Sequence, residues 1–407
     1  GGGNAGAQAV SKPRVLSLST LFPTPARPGF GKFVEYSLGA VARRGDIDLT
    51  VVNPIGVPPW PLSRREPYRT HDSAPQQGEL QGATVHYPRF TLVPRFGGDS
   101  NAGRIVRAVM PLVQKLHAER PFDLIDAQFF FPDGPAVAEI AKRLDLPWSI
   151  KARGADIHFW GRRPAPLAQM RAAAQGAAGM LAVSEALKDD MAALGLPGER
   201  ITVHYTGIDH ARFTPLPRTQ ARILVSAVPE LGVWVKGPLV VVTGALIERK
   251  GQKLVIEALR HLPDVHLALA GSGPDEAVLR ALAAQLGVEE RVQFLGQVSH
   301  DLLPQLLSAA NVLALPSASE GIANAWIEAL ACGTPLVIPD IGGAREVLRD
   351  PSAGRIVERT PQAIAAGIAE VLANQPDEET VAVNSQRFSW ERNAEELAAY
   401  WRRLAGK

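Results

Sequence analysis

The sequence contains little cysteine, no excess of charge of either sign and no long hydrophobic run. Its 407 residues include a single cysteine, Cys332, so no intrachain disulfide can form and an oxidising compartment is not implied. Lys and Arg number 43 against 41 Asp and Glu, a balance that gives no reason to expect a nucleic acid partner. No stretch approaches the roughly 18 consecutive apolar residues of a transmembrane helix. Residues 1–10 lack the basic and apolar regions of a signal peptide, so we predict a cytoplasmic protein.

Short runs rich in β-branched residues alternate with amphipathic stretches along the whole chain. This alternation is typical of βα units that build parallel sheets, so an α/β fold is expected. Strands are predicted in the first half at residues 14–19, 48–53, 84–88, 123–128, 148–152, 179–183 and 201–205. In the second half they are predicted at 239–243, 266–270, 292–295, 312–315, 336–339 and 355–358. Helices between them include 32–44, 136–144, 276–286 and 323–331.

The segment from Thr214 to Gly237 contains three prolines and has no clear period, which favours a linker between two domains at 216–237. The chain then divides into five parts: a flexible leader at 1–12, a domain at 13–215, the linker at 216–237, a domain at 238–385 and a terminal stretch at 386–407. A second proline-rich stretch, Pro54 to Pro75, is either a functional insertion or a solvated excursion. Parallel sheets bind ligands beyond the carboxyl ends of their strands, so function is sought in the loops there.

The most informative stretch runs from Ser319 to Pro335, where a predicted strand leads through Glu320 and Gly321 into a predicted helix. Glu320 precedes the helix and Glu328 lies about two turns into it. Two carboxylates at these levels can accept hydrogen bonds from a polyhydroxylated ligand, while the N–H groups at the start of a helix suit a phosphate. The pattern favours a sugar nucleotide. Alternatively, Glu320 only caps the helix and Glu328 only faces solvent.

The run from Glu320 to Val337, followed by Gly342, Gly343 and Glu346, resembles the signature of glycosyltransferase family 4. The resemblance implies a retaining enzyme of the GT-B fold, in which two Rossmann-like parallel-sheet domains face a central cleft. It implies an N-terminal acceptor domain, a C-terminal nucleotide-sugar domain and a terminal helix that crosses back to the first domain. By resemblance, Glu328 binds the ribose hydroxyls and Glu320 the hydroxyls of the donor sugar. Donor contacts are also expected from the residues between them, Gly321, Ile322, Ala323 and Asn324.

Two adjacent cations, Arg249 and Lys250, follow the predicted strand at 239–243. A diphosphate leaving group needs positive charge that stabilises it as the glycosidic bond breaks. Lys250 resembles the family's lysine that contacts the diphosphate. The family usually has an arginine directly after the preceding glycine, and that position is Ala245 here. Whether Arg249 supplies the missing charge or stays in solvent is left open.

Two short turns of the second half complete the predicted donor site. Gly271 and Gly273 follow a strand, where glycines let the backbone approach a ligand, and they resemble the family's Gly-x-Gly-Pro turn near the nucleotide. Glycines at such turns also occur for steric reasons alone. Val298 follows the next strand, in the segment whose backbone often holds the base in this family. Backbone recognition leaves no side-chain pattern, so the base is not predicted.

In the first half, Gly29 and Gly31 follow the first strand and precede a helix that opens with Lys32. They resemble the family's glycine-bearing loop, which faces the donor phosphate and the acceptor; loop flexibility is the alternative. Arg153 and Asp156 resemble a His-Gly-x-Asp segment of the family, with arginine where histidine is common. A cation there can bind phosphate or orient the sugar, and Asp156 either faces the acceptor or fixes its own loop.

The motifs together predict a hexosyltransferase-type enzyme that moves a sugar from a nucleotide diphosphate to an acceptor hydroxyl, with Glu320, Lys250 and Arg153 at the reaction centre. The acceptor is expected to be a carbohydrate or a lipid-linked glycan, in bacterial glycan, polysaccharide or glycolipid synthesis. Dinucleotide, Walker and zinc patterns are missing, so neither a cofactor nor a metal is expected. The alternatives are another GT-B enzyme, such as a nucleotide-sugar 2-epimerase or a phosphorylase, and a two-lobed binding protein.

Contact with a membrane is a further possibility at one basic, amphipathic stretch, residues 104–115. Such a helix can lie on anionic lipid, which would bring the enzyme to the inner face of the membrane as a weak peripheral protein. More often a helix of this kind packs its apolar face against its own sheet.

Overall fold

The computed structural model describes residues 11–95, 98–233 and 236–407, so most of the predicted leader lies outside the described residues. The chain forms two compact units. The first extends to Gly207 and is completed by Trp390–Lys407, and the second comprises Ile208–Ser389. Each unit is built around its own sheet, which is parallel in the second unit and mainly parallel in the first.

The first unit contains an eight-stranded sheet with the order β10-β9-β8-β7-β1-β2-β5-β4, and a separate pair formed by β3 and β6. Neighbouring strands of the large sheet are parallel except for β4 and β5. The strands are β1 (Arg14–Leu18), β2 (Asp48–Val52), β3 (Ile55–Val57), β4 (Gln77–Leu80), β5 (Ala83–His86), β6 (Arg89–Thr91), β7 (Leu124–Ala127), β8 (Trp148–Ala152), β9 (Gly179–Ala182) and β10 (Ile201–Val203).

The helices of the first unit bury apolar side chains, except the short helix at Tyr68–His71, none of whose residues is buried. They are α1 (Lys32–Arg44), α2 (Tyr68–His71), α3 (Asn101–Glu119), α4 (Asp133–Arg143), α5 (Ala155–His158), α6 (Pro164–Gly176) and α7 (Glu185–Ala193). Helix α1 shows how the sequence sets the bounds. Its apolar side chains, including Val34, Leu38 and Val41, are buried, and the helix ends where Gly45 adopts the left-handed conformation.

The second unit has a six-stranded parallel sheet with the order β13-β12-β11-β14-β15-β16, the Rossmann arrangement. Its strands are β11 (Leu239–Thr243), β12 (His266–Ala270), β13 (Val292–Gly296), β14 (Val312–Ala314), β15 (Leu336–Ile338) and β16 (Gly354–Ile356). Its helices are α8 (Arg218–Ala227), α9 (Gln252–Ala258), α10 (Glu276–Gln285), α11 (Leu303–Ala309), α12 (Asn324–Ala331), α13 (Ala344–Val347), α14 (Pro361–Ala373) and α15 (Glu378–Val383). Strand order reverses between β11 and β14, the place where such sheets bind ligands.

The segment expected to be a linker instead contributes helix α8 to the second unit. Pro217 precedes this helix, where a proline costs no hydrogen bond, and the side chains of Ala221 and Val225 are fully buried. The Arg222 guanidinium donates to the carbonyl of Ala309, at the end of α11. Pro217 therefore starts a packed helix, and the first unit ends earlier than predicted, at Gly207. Residues 234 and 235 of the predicted linker lie outside the described part of the chain.

The C-terminal helix α16 (Trp390–Leu404) belongs to the first unit and packs on α1. The side chain of Trp401 is fully buried, and its indole Nε1 donates to Asp126 at 3.3 Å. Asn393 accepts a hydrogen bond from Ser37 at 2.5 Å and donates to the carbonyl of Tyr205 at 2.7 Å. Both apolar packing and hydrogen bonds thus attach the end of the chain to the first unit.

Helix α3 contains the stretch that was considered for membrane contact. Its apolar side chains, such as Ile105, Val109 and Val113, are fully buried in the core of the first unit. The apolar face therefore packs against the protein's own sheet, and only the polar face, with Arg107 and Lys115, is exposed. Among the described helices, none combines the length and the apolar character needed to cross a bilayer.

Candidate functional site

Loops beyond the carboxyl ends of β11 and β12 pack tightly against each other. A Cβ atom on Gly271, where φ is +149°, would lie 1.9 Å from the carbonyl oxygen of Gly244. A Cβ atom on Gly273 would lie 2.3 Å from the carbonyl oxygen of Leu246. The protein's own backbone therefore requires both glycines, in agreement with the steric alternative. Val298 is half-buried in the loop after β13.

Lys250 and Glu320 form the centre of the candidate site. The Nζ of Lys250 donates to the Oε1 of Glu320 at 2.6 Å, although 70 positions separate the two residues. Their side chains are 17% and 12% exposed, so the pair is largely shielded from water. The stem of Lys250 lies against Gly244, whose lack of a side chain leaves room for it. The loop after β11 thus presents a cation directly beside the loop after β14.

Arg249 also points to the loop after β14. Its Nη1 donates to the carbonyl of Ser319 at 2.8 Å and lies 3.4 Å from Glu320 Oε1. The side chain is 45% exposed, so part of the guanidinium remains open to solvent. Arg249 therefore brings a second positive charge to the site where Ala245 supplies none.

The start of helix α12 is held in place by two glycines of the following loop. A Cβ atom on Gly342 would lie 2.0 Å from the carbonyl oxygen of Glu320, and the Gly343 amide donates to the carbonyl of Gly321 at 2.8 Å. Ala323 is the N-cap residue and provides no side-chain hydrogen bond. Glu320 therefore does not cap the helix, and the first N–H groups of α12, beginning at Asn324, remain available to an anion. Ile322, between Gly321 and Ala323, is half-buried and lies against Gly343.

Glu328 lies further along α12 and is half-buried rather than directed into solvent. None of the described side chains donates a hydrogen bond to its carboxylate, and burial raises the pKa of Glu328 to about 7. A carboxylate in such surroundings gains from accepting hydrogen bonds from ligand hydroxyls. The two glutamates thus differ. Glu320 is already ion-paired with Lys250, whereas no described side chain donates a hydrogen bond to the Glu328 carboxylate.

Two hydroxyl groups near this edge of the sheet were not singled out from the sequence. Thr243 ends β11 and Ser317 lies shortly after β14; both are buried, and neither hydroxyl has a hydrogen-bond partner among the described residues. Unsatisfied buried hydroxyls are costly, which makes them candidate ligand contacts. The only sequence signal was their position at strand ends, a signal shared by many residues.

In the first unit, Arg153 lies directly after β8 and is held by Gln128. Its Nε donates to the Gln128 carbonyl and its Nη2 to the Gln128 Oε1, each at 2.7 Å. The amide of Gln128 in turn donates to buried Asp126 at 2.8 Å. Burial lowers the pKa of Arg153 to about 10, which leaves it charged at neutral pH. This chain of hydrogen bonds fixes a cation at the carboxyl edge of the first sheet, and Gln128 carried no recognisable motif.

Asp156 fixes its own loop, which was one of the two roles that the sequence left open. Its side chain is fully buried and accepts hydrogen bonds from the backbone amides of Phe130 and Gly154 at 2.8 Å and of Arg153 at 3.1 Å. Burial raises the pKa of Asp156, and these hydrogen bonds oppose the rise. Asp156 therefore fixes the loop that carries Arg153, because its oxygen atoms are already occupied.

The glycine loop after β1 contains one constrained and one open position. A Cβ atom on Gly31, where φ is +69°, would lie 2.5 Å from the backbone of Leu21, whereas nothing lies within 4 Å of one on Gly29. Lys32 pairs with Glu35 of the same helix at 2.7 Å and is 44% exposed. Gly31 is thus required by the local fold, while Gly29 leaves space beside the loop.

Across the described part of the chain, no group of three or more His, Cys, Asp and Glu side chains is arranged to hold a metal ion. Metal independence of the reaction stays a prediction.

Comparison with known families decides the class of protein. A model described as "Glycosyltransferase Family 4" matches residues 28–212, and one described as "Glycosyl transferases group 1" matches residues 229–395. The chain belongs to glycosyltransferase family 4. It is therefore a glycosyltransferase, and the predicted family is confirmed.

Curated relatives of this family-4 glycosyltransferase include bacterial enzymes. It is 28% identical to the putative teichuronic acid biosynthesis glycosyltransferase TuaC of Bacillus subtilis, over 87% of this chain and 88% of the relative. It is 36% identical to the D-inositol 3-phosphate glycosyltransferase of Mycolicibacterium gilvum, over 51% of this chain and 48% of the relative. The chain thus spans most of TuaC but about half the length of the second relative.

Solved structures match the family-4 chain over nearly its whole length. Sucrose-phosphate synthase from Thermosynechococcus elongatus matches with a TM-score of 0.72 at 21% identity, covering 97% of this chain and 99% of the other. HepE from Anabaena, solved in complex with UDP, matches with a TM-score of 0.70 at 22% identity, covering 95% and 99%. These similarities confirm the predicted GT-B fold.

Proposed function

We propose that this glycosyltransferase transfers a hexosyl group from a nucleoside diphosphate sugar to an acceptor hydroxyl, with retention of the anomeric configuration. The observation that carries the proposal is the arrangement around α12. The cation of Lys250, the uncapped start of the helix and the unpartnered carboxylate of Glu328 belong to one Rossmann-like unit. They offer, in turn, a diphosphate contact, phosphate-binding N–H groups and an acceptor for ribose hydroxyls.

Lys250 and the start of α12 would stabilise the departing diphosphate. Charge develops on the leaving oxygen as the bond to the sugar breaks, and a fixed cation and oriented N–H groups stabilise that charge without reorganising. The shielding of the Lys250 and Glu320 pair from water strengthens such interactions. Arg249, with part of its guanidinium in solvent, is placed to add a second charge in the proposed complex.

Glu320 would bind hydroxyls of the donor sugar and would not act as a nucleophile. Its Oε1 already accepts a hydrogen bond from Lys250, which lowers the tendency of that oxygen to attack a carbon atom. The second carboxylate oxygen has capacity for sugar hydroxyls. The ion pair thus links Glu320, the proposed contact to the sugar, with Lys250, the proposed contact to the diphosphate.

Retention follows in this proposal from attack on the face that the diphosphate leaves. The acceptor oxygen forms a bond to the anomeric carbon while the bond from that carbon to the phosphate oxygen breaks. The acceptor proton passes to the departing phosphate oxygen, so no protein base is needed. Arg153 of the first unit is proposed to face the reacting groups, since it is charged and its direction is fixed by Gln128.

The donor and acceptor classes receive support from related proteins. HepE has been solved with UDP and with UDP-glucose, which favours a nucleoside diphosphate sugar as the donor. TuaC is named for teichuronic acid biosynthesis, which favours a carbohydrate or lipid-linked acceptor in bacterial glycan synthesis. The proposal includes a cytoplasmic reaction without metal or cofactor, at the inner face of the membrane when the acceptor is lipid-linked.

Product analysis tests the proposal. The protein is incubated with UDP-glucose or GDP-mannose and a panel of sugar acceptors, and the anomeric configuration of each product is read by NMR. We expect nucleoside diphosphate release and an α-linked product from an α-linked donor, with turnover largely lost in Glu320→Gln. An inverted product, or nearly full turnover in Glu320→Gln, contradicts the mechanism. Epimerised nucleotide sugar from donor alone would identify a 2-epimerase instead.

A further inference from the structure

The first unit contains a pocket of about 310 Å³ that the donor chemistry does not use. It lies beyond the carboxyl ends of β1, β2 and β7, on the edge of the sheet where ligands bind in parallel α/β folds. Its volume is within the usual range of small-molecule sites. Aromatic rings dominate the wall, with Phe22, Phe30, Phe90 and Phe129 among them.

One wall of the pocket comes from the proline-rich insertion between Pro54 and Pro75. Tyr68 and His71, both on helix α2, line it. Arg89 holds the end of this insertion: its guanidinium donates to Asp72 Oδ1 at 3.2 Å and to the carbonyl of Pro75 at 3.2 Å. The wall is therefore attached to strand β6, and this part of the insertion is packed against the first unit.

Most polar groups of the pocket wall are already hydrogen-bonded within the protein. The hydroxyl of Thr20 donates to Asp133 at 2.8 Å, that of Thr24 accepts from the Arg27 amide at 3.1 Å, and the amide of Asn53 donates to the Phe22 carbonyl at 3.2 Å. These residues offer little to a ligand. A bound molecule would meet mainly aromatic surface along this part of the wall.

Unlike these residues, Arg27 and His71 have side-chain hydrogen-bond donors that a ligand could use. Arg27 is half-buried, forms no ion pair with any residue that the structure describes, and places its guanidinium 3.7 Å from the centre of the Phe30 ring. Burial and the nearby charge of Arg27 lower the pKa of His71, so the imidazole is neutral at pH 7. The pocket therefore has one uncompensated positive charge. A half-buried cation without a counterion gains from an anion, and the hydrogen bonds so formed are charge-assisted.

We propose that this pocket binds a molecule in which an apolar chain or ring carries an anionic group such as a phosphate. Arg27 pairs with the anion, and the aromatic wall covers the apolar part. This inference rests on the proposed function, since the pocket would hold the acceptor while the second unit holds the donor. Of the two acceptor classes proposed above, a carbohydrate and a lipid-linked glycan, it favours the second, a glycan carried by an amphiphilic anion.

Titration calorimetry on the full chain tests the pocket with four probes: hexyl phosphate, phenyl phosphate, inorganic phosphate and 1-hexanol. We expect hexyl or phenyl phosphate to bind at least about tenfold more tightly than inorganic phosphate or hexanol, since only they offer both groups. The tighter of the two distinguishes a chain from a ring as the natural apolar part. Equal affinity for inorganic phosphate, or no binding of either organic phosphate, overturns the proposal.

Two substitutions assign the binding to the pocket. Arg27→Gln is expected to weaken hexyl or phenyl phosphate binding about tenfold. Arg65→Gln is the matched control, because Arg65 is an exposed arginine of the same insertion that does not line the pocket. An equal effect of both variants, or none from Arg27→Gln, would overturn the assignment.

UDP titrations on the same preparations separate this proposal from the proposed function. Arg27→Gln is expected to bind UDP like the unsubstituted chain, and Lys250→Met to bind the organic phosphates unchanged. Loss of organic phosphate binding in Lys250→Met would show that the probes occupy the diphosphate site, and the pocket proposal would fall alone. Failure of UDP to bind any variant would instead count against the proposed function.

Discussion

Folding changes the ionisation of Glu328 at the candidate site. Its pKa of about 7 lies above the ordinary value of 4.5, so the folded state holds a proton that the unfolded state releases between these values. The free energy of unfolding therefore falls as pH rises through this window, by at most about 1.4 kcal/mol per pH unit. A glutamine at this position cannot ionise. In Glu328→Gln, the free energy of unfolding should therefore fall less steeply with pH than in the unsubstituted chain.

Urea unfolding at intervals from pH 5 to pH 8 measures the effect. The slope should decrease in Glu328→Gln without vanishing, because burial also raises the pKa of Asp133 to about 7. Glu395→Gln serves as the control, since Glu395 is exposed on α16. Identical slopes for the unsubstituted chain and Glu328→Gln would show that Glu328 is ionised normally in the folded protein.

Gln128 holds the Arg153 side chain, so in the proposed mechanism it is a positioning residue. Gln128→Leu removes the acceptor at 2.7 Å from the Arg153 Nη2 and the donor to Asp126, while filling a similar volume. By analogy with the outer-shell partners of metal ligands, whose loss costs about 10- to 100-fold, we take this as the scale of the effect. We expect kcat to fall by about that factor with little change in UDP affinity, as measured by steady-state kinetics and calorimetry. A change in UDP affinity with kcat preserved would place Gln128 in a different role.

At the scale of elements, the packing of the β11 and β12 loops depends on Gly271. Gly271→Ala would put a Cβ atom 1.9 Å from a carbonyl oxygen, so one loop must move. Gly287→Ala is a matched control: φ is also positive, at +69°, and nothing lies within 4 Å. Gly287→Ala should lower the free energy of unfolding by about 1 to 2 kcal/mol, because alanine is strained in the left-handed conformation.

In urea unfolding, Gly271→Ala should lower the free energy of unfolding by more than Gly287→Ala does. It should also weaken UDP binding, because the displaced loop adjoins Gly244 and Lys250. A cost equal to that of Gly287→Ala would mean that the two loops accommodate a methyl group.

The elements show where sequence reasoning succeeds and where it fails. Buried parallel strands are short apolar runs between polar turns, so the strands and the bounds of α1 could be predicted closely. Strands β3, β4 and β6 were missed because they are short and carry Gly, Gln or Arg. Helix α8 was taken for a linker because its prolines precede the helix rather than interrupt it.

At the scale of the whole molecule, the first unit depends on the last residues of the chain. Trp401→Ala would remove a fully buried ring and leave Asp126 without one of its donors, at a cost of about 3 to 5 kcal/mol. Hydrogen exchange should accelerate in β1 and β7 while β11 and β14 keep their protection. Glu395→Ala, an exposed position on the same helix, should change little. Uniform acceleration in both units would contradict separate cores.

The candidate site could be predicted in its residue types but not in its contacts. Glu320, Lys250 and Glu328 stand in recognisable motifs, whereas the bond between Glu320 and Lys250 joins positions 70 apart. Two roles stayed open for Asp156, because sequence does not reveal that its oxygens bond to backbone amides. The pocket around Arg27 is assembled from loops after several strands and has no linear signature.

The most direct test of the central claim is the affinity of UDP, GDP and ADP for three proteins, measured by titration calorimetry. They are the unsubstituted chain, Lys250→Met and Lys253→Met, the last replacing an exposed lysine of α9. We predict that at least one nucleoside diphosphate binds, that Lys250→Met loses about tenfold or more in affinity, and that Lys253→Met does not. Unchanged affinity in Lys250→Met, or no binding of any nucleoside diphosphate to the unsubstituted chain, would contradict the account.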